Sequence, residues 1–366
     1  MMVVISIYDV GSMPLTGSLE FFTEGLKVFQ AGETRMEPAR YFADKIIGVF
    51  TDKIRAGIDV PNYPQLRDMN QMFLEMFEGL IKVERAYVAE KLRLKSGMGM
   101  LPEVQVLKTE VEKVFERLES SSEKLKVKVC MTGPYTLASL FLQRDAELFK
   151  DLSFVLAEIA SKNLFSEGRI EVAILSLDEP VFGTVDDSLL DYGSAGREEL
   201  RKAWDRIFWE ARSRKIKTVL HLHNTRNELF WELENLQIVE SHVGDPIYSS
   251  SKARRLAEEK DKFFKASIAL TDFDKLMAEK LKSLGEEKPL EQSIGEAWTD
   301  IKKGKTRPEF FLEEVEAMRA RLREAIEFFG KERVPYAGPE CGLSSFPTYS
   351  CALECLKRVS EVLKPQ

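Results

Sequence analysis

The chain has 366 residues, 44% of them hydrophobic, which is enough for a large buried core. Its formal net charge of -7, with 31% charged residues of both signs, gives no electrostatic basis for binding nucleic acid. No apolar stretch approaches the roughly 20 residues needed to cross a bilayer, and four cysteines are too few for a disulfide scaffold in a chain of this length. The start, Met1 to Tyr8, lacks the basic flank and small-residue cleavage site of a signal peptide. These features predict a cytoplasmic protein with reduced thiols and no membrane partner.

Short β-branched runs alternate with long amphipathic ones. The first strand is expected over Val3–Tyr8, ending at Gly11-Ser12, and the second over Ala56–Val60. Met69 to Lys95 is apolar at spacings of three and four, which predicts a helix. Ser96 to Glu123 is longer than a strand–helix step needs and predicts a hairpin or helical excursion. The third strand is expected at Lys126–Met131, stopped by Gly133-Pro134, and the fourth at Val172–Leu177. The fifth falls at Ile216–Leu220, the sixth at Leu236–Val239 and the seventh at Phe263–Leu270. A polar, Lys-rich insertion follows at Thr271–Lys305. Helical periodicity returns at Pro308–Phe329, the eighth strand is expected at Val334–Gly338, and a last helix at Tyr349–Leu363. Eight strands alternating with helices predict a parallel sheet, and eight is the number that closes a barrel. No repeat and no Pro/Gly/Ser-rich linker divides the chain. The expected fold is therefore α/β, a single (β/α)8 TIM barrel over residues 1–366, with excursions at about 96–123 and 271–305.

Chemistry concentrates at the predicted strand ends. The chain has only three histidines, His221, His223 and His242. In His221-Leu222-His223, where the fifth strand ends, alternation puts residues i and i+2 on one face. Glu240 follows the sixth strand and Cys341 the eighth. Two imidazoles, a carboxylate and a thiolate on one rim suit zinc. The pattern assigns His242 no role. Each piece has a simpler reading: a strand-end His-x-His is often a polar rim pair, and a cysteine a small buried apolar residue. Cys130, Cys351 and Cys355 read as packing residues.

These residues resemble the catalytic domain of cobalamin-independent methionine synthase. Gly11-Ser12-Met13-Pro14 is similar to that family's Gly-Ser-Phe-Pro, and Gly57-Ile58-Asp59-Val60 with Arg67-Asp68-Met69 to its second-strand segment. Met131-Thr132-Gly133-Pro134 with Thr136 resembles its Thr-Gly-Pro turn, and Leu177-Asp178-Glu179-Pro180 its Ile-Asp-Glu-Pro. His221-x-His223 stands where the family has His-x-Cys. Val239-Glu240-Ser241 resembles Ile-Glu-Thr, and Glu340-Cys341-Gly342-Leu343 resembles Asp-Cys-Gly-Leu. The resemblance, to a short, archaeal-like homologue, implies zinc on His221, Glu240 and Cys341, with His223 in place of a cysteine ligand. It also implies a homocysteine pocket in which Ser12 holds the carboxylate and Asp178 the ammonium. A free alkyl thiol has a pKa near 8.5, and zinc lowers it so that the nucleophilic thiolate exists at neutral pH.

The departures from the family pattern bear on donor and acceptor. His223 removes one anionic ligand. The Asp-Gly-Glu that helps hold homocysteine's amino group is absent, and Gln65 is the nearest polar residue to the lost carboxylate. The seventh-strand Asp-x-His-Ser is missing, since no histidine follows His242. The tryptophan after Thr-Gly-Pro is replaced near Leu140, and the family's N-terminal half has no counterpart. Transfer from methyltetrahydrofolate needs an acid to protonate the leaving amine, whereas transfer from methylcobalamin does not. The expected donor is therefore methylcobalamin or a methyl-corrinoid protein partner rather than methyltetrahydrofolate. Alternatives are a corrinoid-dependent methyltransferase acting on another thiol such as coenzyme M, a folate-dependent methionine synthase, an amidohydrolase-like metal hydrolase, and a barrel without catalysis.

Overall fold

The computed structural model describes residues 4–119, 124–285 and 288–364. Val3, residues 120–123 of the first excursion and residues 286–287 of the insertion lie outside the described residues. The strands are β1 (Ser6–Ile7), β2 (Phe77–Val83), β3 (Ala86–Leu94), β4 (Leu125–Thr132) and β5 (Ser166–Glu167). They continue with β6 (Ile170–Glu179), β7 (Lys217–Leu222), β8 (Ile238–Glu240), β9 (Phe263–Ala269) and β10 (Tyr336–Pro339). The chain forms two compact units, Arg67–Lys265 and Met1–Leu66 with Ala266–Gln366.

In the unit Arg67–Lys265, β4, β6, β7, β8 and the start of β9 pair in parallel, in that order. β4, β6 and β7 are almost wholly buried, as strands covered on both sides are. Helices Ala146–Asn163 and Ala195–Arg212 cover them. Each begins at a side-chain cap, Asp145 accepting from Leu148 N at 2.8 Å and Ser194 Oγ from Arg197 N at 3.1 Å. Trp204, on the second of these helices, is fully buried.

The expected helix over Met69–Lys95 is instead mostly a β-hairpin, β2 paired antiparallel with β3. A helix would have had to bury its apolar stripe, yet Ile81, Val83 and Val88 stay exposed. Gly79 breaks the helical run, adopting φ +78° where an added Cβ would lie 2.7 Å from Lys91 O. Tyr87 N donates to Leu140 O at 2.9 Å, and Leu142 N to Tyr87 O at 3.0 Å. These long-range pairings outweigh the local helical propensity. The excursion at 96–123 contains helices Pro102–Thr109 and Val111–Leu118.

In the other unit, β10 pairs in parallel with β1, and Glu340 N donates to Ala269 O at the end of β9 at 2.9 Å. The expected second strand, Ala56–Val60, reduces to one bridge, Tyr8↔Val60. Helix Glu37–Arg55 runs up to it, Gly57 turns the chain at φ +93°, and Pro61 has no N–H with which to extend a ladder. The insertion at 271–305 holds two helices, Phe273–Ser283 and Leu290–Lys302. The remaining strands and the last helix lie within a few residues of their expected positions. No helix among the described residues is long and apolar enough to cross a membrane.

Candidate metal centre

Parallel register brings three of the expected residues to one level. Thr132 pairs with Asp178, Asp178 with His221, and His221 with Glu240. Residues in register on adjacent strands face the same side, so Asp178, His221 and Glu240 form one row at the carboxyl ends of β6, β7 and β8. All three are buried. His223 lies one residue past β7 and His242 two past β8, both half-buried. The ring centroids of His223 and His242 are 4.0 Å apart, those of His221 and His223 5.3 Å, and those of His221 and His242 5.8 Å.

The imidazoles offer nitrogen atoms within 4.8 Å of one another. Across a tetrahedral zinc with bonds of about 2.05 Å, ligand nitrogens stand about 3.4 Å apart. The donor types and their crowding fit such an ion. Burial, and then His221 and His242, push the His223 pKa down to about 2, so its imidazole is neutral and keeps a lone pair at neutral pH.

Glu240, expected as a ligand, places Oε1 2.6 Å from His221 Nδ1 and Oε2 3.6 Å from Lys265 Nζ. Burial alone would raise its pKa, but Lys265, Lys128 and His221 outweigh burial and hold it well below the usual carboxylate range. An ionised carboxylate only accepts, so Nδ1 of His221 carries the proton and Nε2 the lone pair.

Two loops carry the other imidazoles, and Asp245 ties them together. It accepts from Ser241 Oγ at 2.8 Å and Ile247 N at 2.9 Å, and from Thr225 Oγ1, two residues beyond His223. Tyr248 Oη donates to Lys265 O at 2.8 Å and receives Ser241 N at 3.1 Å.

Next to Asp178, the Thr132-Gly133-Pro134 turn is pinned by Glu179. Its carboxylate accepts from Tyr135 N at 2.9 Å, Thr136 N at 2.6 Å and Trp204 Nε1 at 2.7 Å. Only glycine fits at 133, where a Cβ would lie 2.2 Å from Glu179 Oε1. Burial pushes the Glu179 carboxyl up to about 7 despite those donors, from an ordinary value of 4.5. The folded chain therefore binds a proton that the unfolded chain has already released. This group's contribution to stability is fully present below the unfolded value and is lost as pH rises from 4.5 to about 7. The loss amounts to about 3 kcal/mol. Urea unfolding at pH 5 and pH 8 should show this loss in the wild type and not in Glu179→Gln; equal pH slopes would refute it.

In the other unit, Ser12 bridges Gln65, and Met13 N donates to Gln65 O at 3.3 Å. Leu343 N donates to Ser12 O at 2.9 Å, and a Cβ on Gly342 would lie 2.0 Å from Ser12 Oγ. Ser12, Gln65 and the half-buried Cys341, which precedes Gly342, thus share one neighbourhood. Beneath it, buried Lys53 donates to Asp9 Oδ2 at 2.7 Å, Gly11 O at 2.8 Å and Asn62 O at 3.2 Å.

Sequence reasoning missed His242, Asp245, Lys128 and Lys265. The lysines left a signal, each being a charge within an apolar-rich strand (Lys126–Met131 and Phe263–Ala269).

Fold and site together define a class: α/β proteins of the (β/α)8 barrel type that carry imidazoles at the carboxyl ends of parallel strands, where a metal ion can be held. No family model matches the chain. It is nonetheless a homologue of archaeal proteins named methionine synthase. That of Sulfolobus acidocaldarius is 24% identical over 352 residues, covering 92% of this chain and 85% of the relative. That of Saccharolobus solfataricus is 24% identical over 344 residues, covering 91% and 86%. Among solved structures, a B12-independent methionine synthase from Shewanella sp. W3-18-1 shares the fold with a TM-score of 0.58 at 16% identity, covering 98% of each chain. No comparison supports the corrinoid donor expected from the sequence, or a corrinoid protein partner.

Proposed function

We propose that this chain is a zinc-dependent methyltransferase that moves a methyl group onto a thiol, with homocysteine as the acceptor. The single observation that carries the reading is the row of buried strand-end residues with its cluster of imidazoles, in a chain that aligns over most of its length with archaeal proteins named methionine synthase. Zinc, when bound, would lower the acceptor thiol's pKa and hold its sulfur in place. On this reading His221 and His223 are ligands, Cys341 supplies the thiolate ligand, and Glu240 lies at the same site.

The chain's other residues bind and orient the acceptor. Ser12, backed by the Gly342 approach and the Lys53–Asp9 pair, offers a hydroxyl on a fixed loop for the amino acid's carboxylate. Asp178, buried at the end of β6 with Ser176 Oγ at 3.3 Å, suits the ammonium group. Gln65, whose Nε2 donates to Tyr63 Oη at 3.1 Å, sits beside Ser12 where it can take a polar contact of the acceptor.

The test is methyl transfer by the zinc-loaded protein to homocysteine, with coenzyme M as a competing thiol and methyltetrahydrofolate and methylcobalamin as alternative donors. Methionine formed with either donor, and lost in Asp178→Asn at subsaturating homocysteine, is the expected result. A zinc-loaded protein that methylates neither thiol would overturn the reading.

A further inference from the structure

The Glu240 carboxylate lies behind His221, and a third imidazole stands where another ligand is needed. Oε1 of Glu240 is 2.6 Å from His221 Nδ1, and Oε2 faces the fully buried Lys265 ammonium at 3.6 Å. A carboxylate between an imidazole N–H and a buried ammonium is drawn away from a cation on the far side of the ring. A ligating histidine commonly donates its second ring N–H to such a carboxylate, which fixes its tautomer and orientation. His242, meanwhile, follows two residues after Glu240 and packs against His223, the ring centroids 4.0 Å apart and the planes tilted by 41°. Its loop is not left to chance, because Asp245 binds both Ser241 beside it and Thr225 on the loop that carries His223.

We infer that His242 is a metal ligand alongside His221 and His223, and that Glu240 is a positioning residue that orients His221. This deepens the proposed function and rests on its metal site. Replacing a carboxylate by an imidazole leaves the ligand set one negative charge poorer, a difference the spectra of the bound metal register independently of turnover.

The experiment uses the full chain, stripped of metal and titrated with zinc against a chromophoric chelator, in wild type, His242→Ala and Glu240→Gln. Glu240→Gln is expected to keep one zinc and to lose roughly 10- to 100-fold in affinity, the usual effect of removing an outer partner. His242→Ala is expected to lose substantially more. The reverse order, with Glu240→Gln the more damaging, would overturn the inference. Glu240→Gln strips a buried lysine of its counter-charge and can fail to fold, so X-ray absorption of the zinc-loaded wild type gives a second readout. Three imidazoles in the first shell support the inference, and two imidazoles with a carboxylate defeat it. Zinc held by three imidazoles without any methyl transfer would sink the proposed function and leave this assignment standing. Thiol methylation with a carboxylate in the shell would do the opposite.

Discussion

Purified His221→Ala protein is expected to carry less than about a tenth of the wild-type zinc and to lose thiol methylation by about a thousandfold. His221 stands at the centre of the row, in register with Asp178 on one side and Glu240 on the other. It is 1% exposed. Without it, the ionised Glu240 keeps its lysines but no longer presents an imidazole nitrogen toward His223 and His242. Metal activation is worth several kcal/mol of transition-state stabilisation, and about 4 kcal/mol corresponds to a thousandfold in rate. Metal analysis after exhaustive dialysis, paired with the methyl-transfer assay, checks both parts. Full zinc content in the variant would show that the imidazoles are only a polar rim cluster.

The second large effect is on stability. Lys53→Met should cost about 3–5 kcal/mol of unfolding free energy, the range seen when one partner of a buried ion pair is removed. The Lys53 side chain is fully buried and its ammonium lies 2.7 Å from Asp9 Oδ2. It also donates to Gly11 O, next to Ser12, and to Asn62 O, three residues before Gln65. Methionine fills similar volume, so the cost comes from the stranded carboxylate and the two carbonyls rather than from a cavity. Equilibrium urea unfolding measures it. A raised KM for the acceptor in the variant that folds would follow from the loosened Ser12 loop. A change below about 1 kcal/mol, the worth of a surface pair, would mean the pair is solvated.

Much of this molecule was readable from periodicity. β4, β6, β7 and β9 are short apolar runs that only a doubly covered sheet can use, and each lies within two residues of its expected span. The hairpin of β2 and β3 was not readable, because its residues favour a helix locally and its pairing partner near Leu140 lies more than 40 residues away. The second strand failed for a smaller reason, a glycine turn and a proline that leave room for a single bridge.

At the site, alternation along one strand was enough to place His221 and His223 near each other, since a strand's geometry is set by its own backbone. The level shared by Asp178, His221 and Glu240 depends on inter-strand register, which no local pattern encodes. The part taken by Glu240 depends on which buried charges surround it, and Lys265 comes from a strand 25 residues further on. His242 lies in a loop whose path is set by Asp245 and Tyr248 rather than by strand geometry. Composition and period determined the strands and nominated the chemical residues; register and buried charge, which are properties of strands brought together, decided which atom of each residue faces which neighbour.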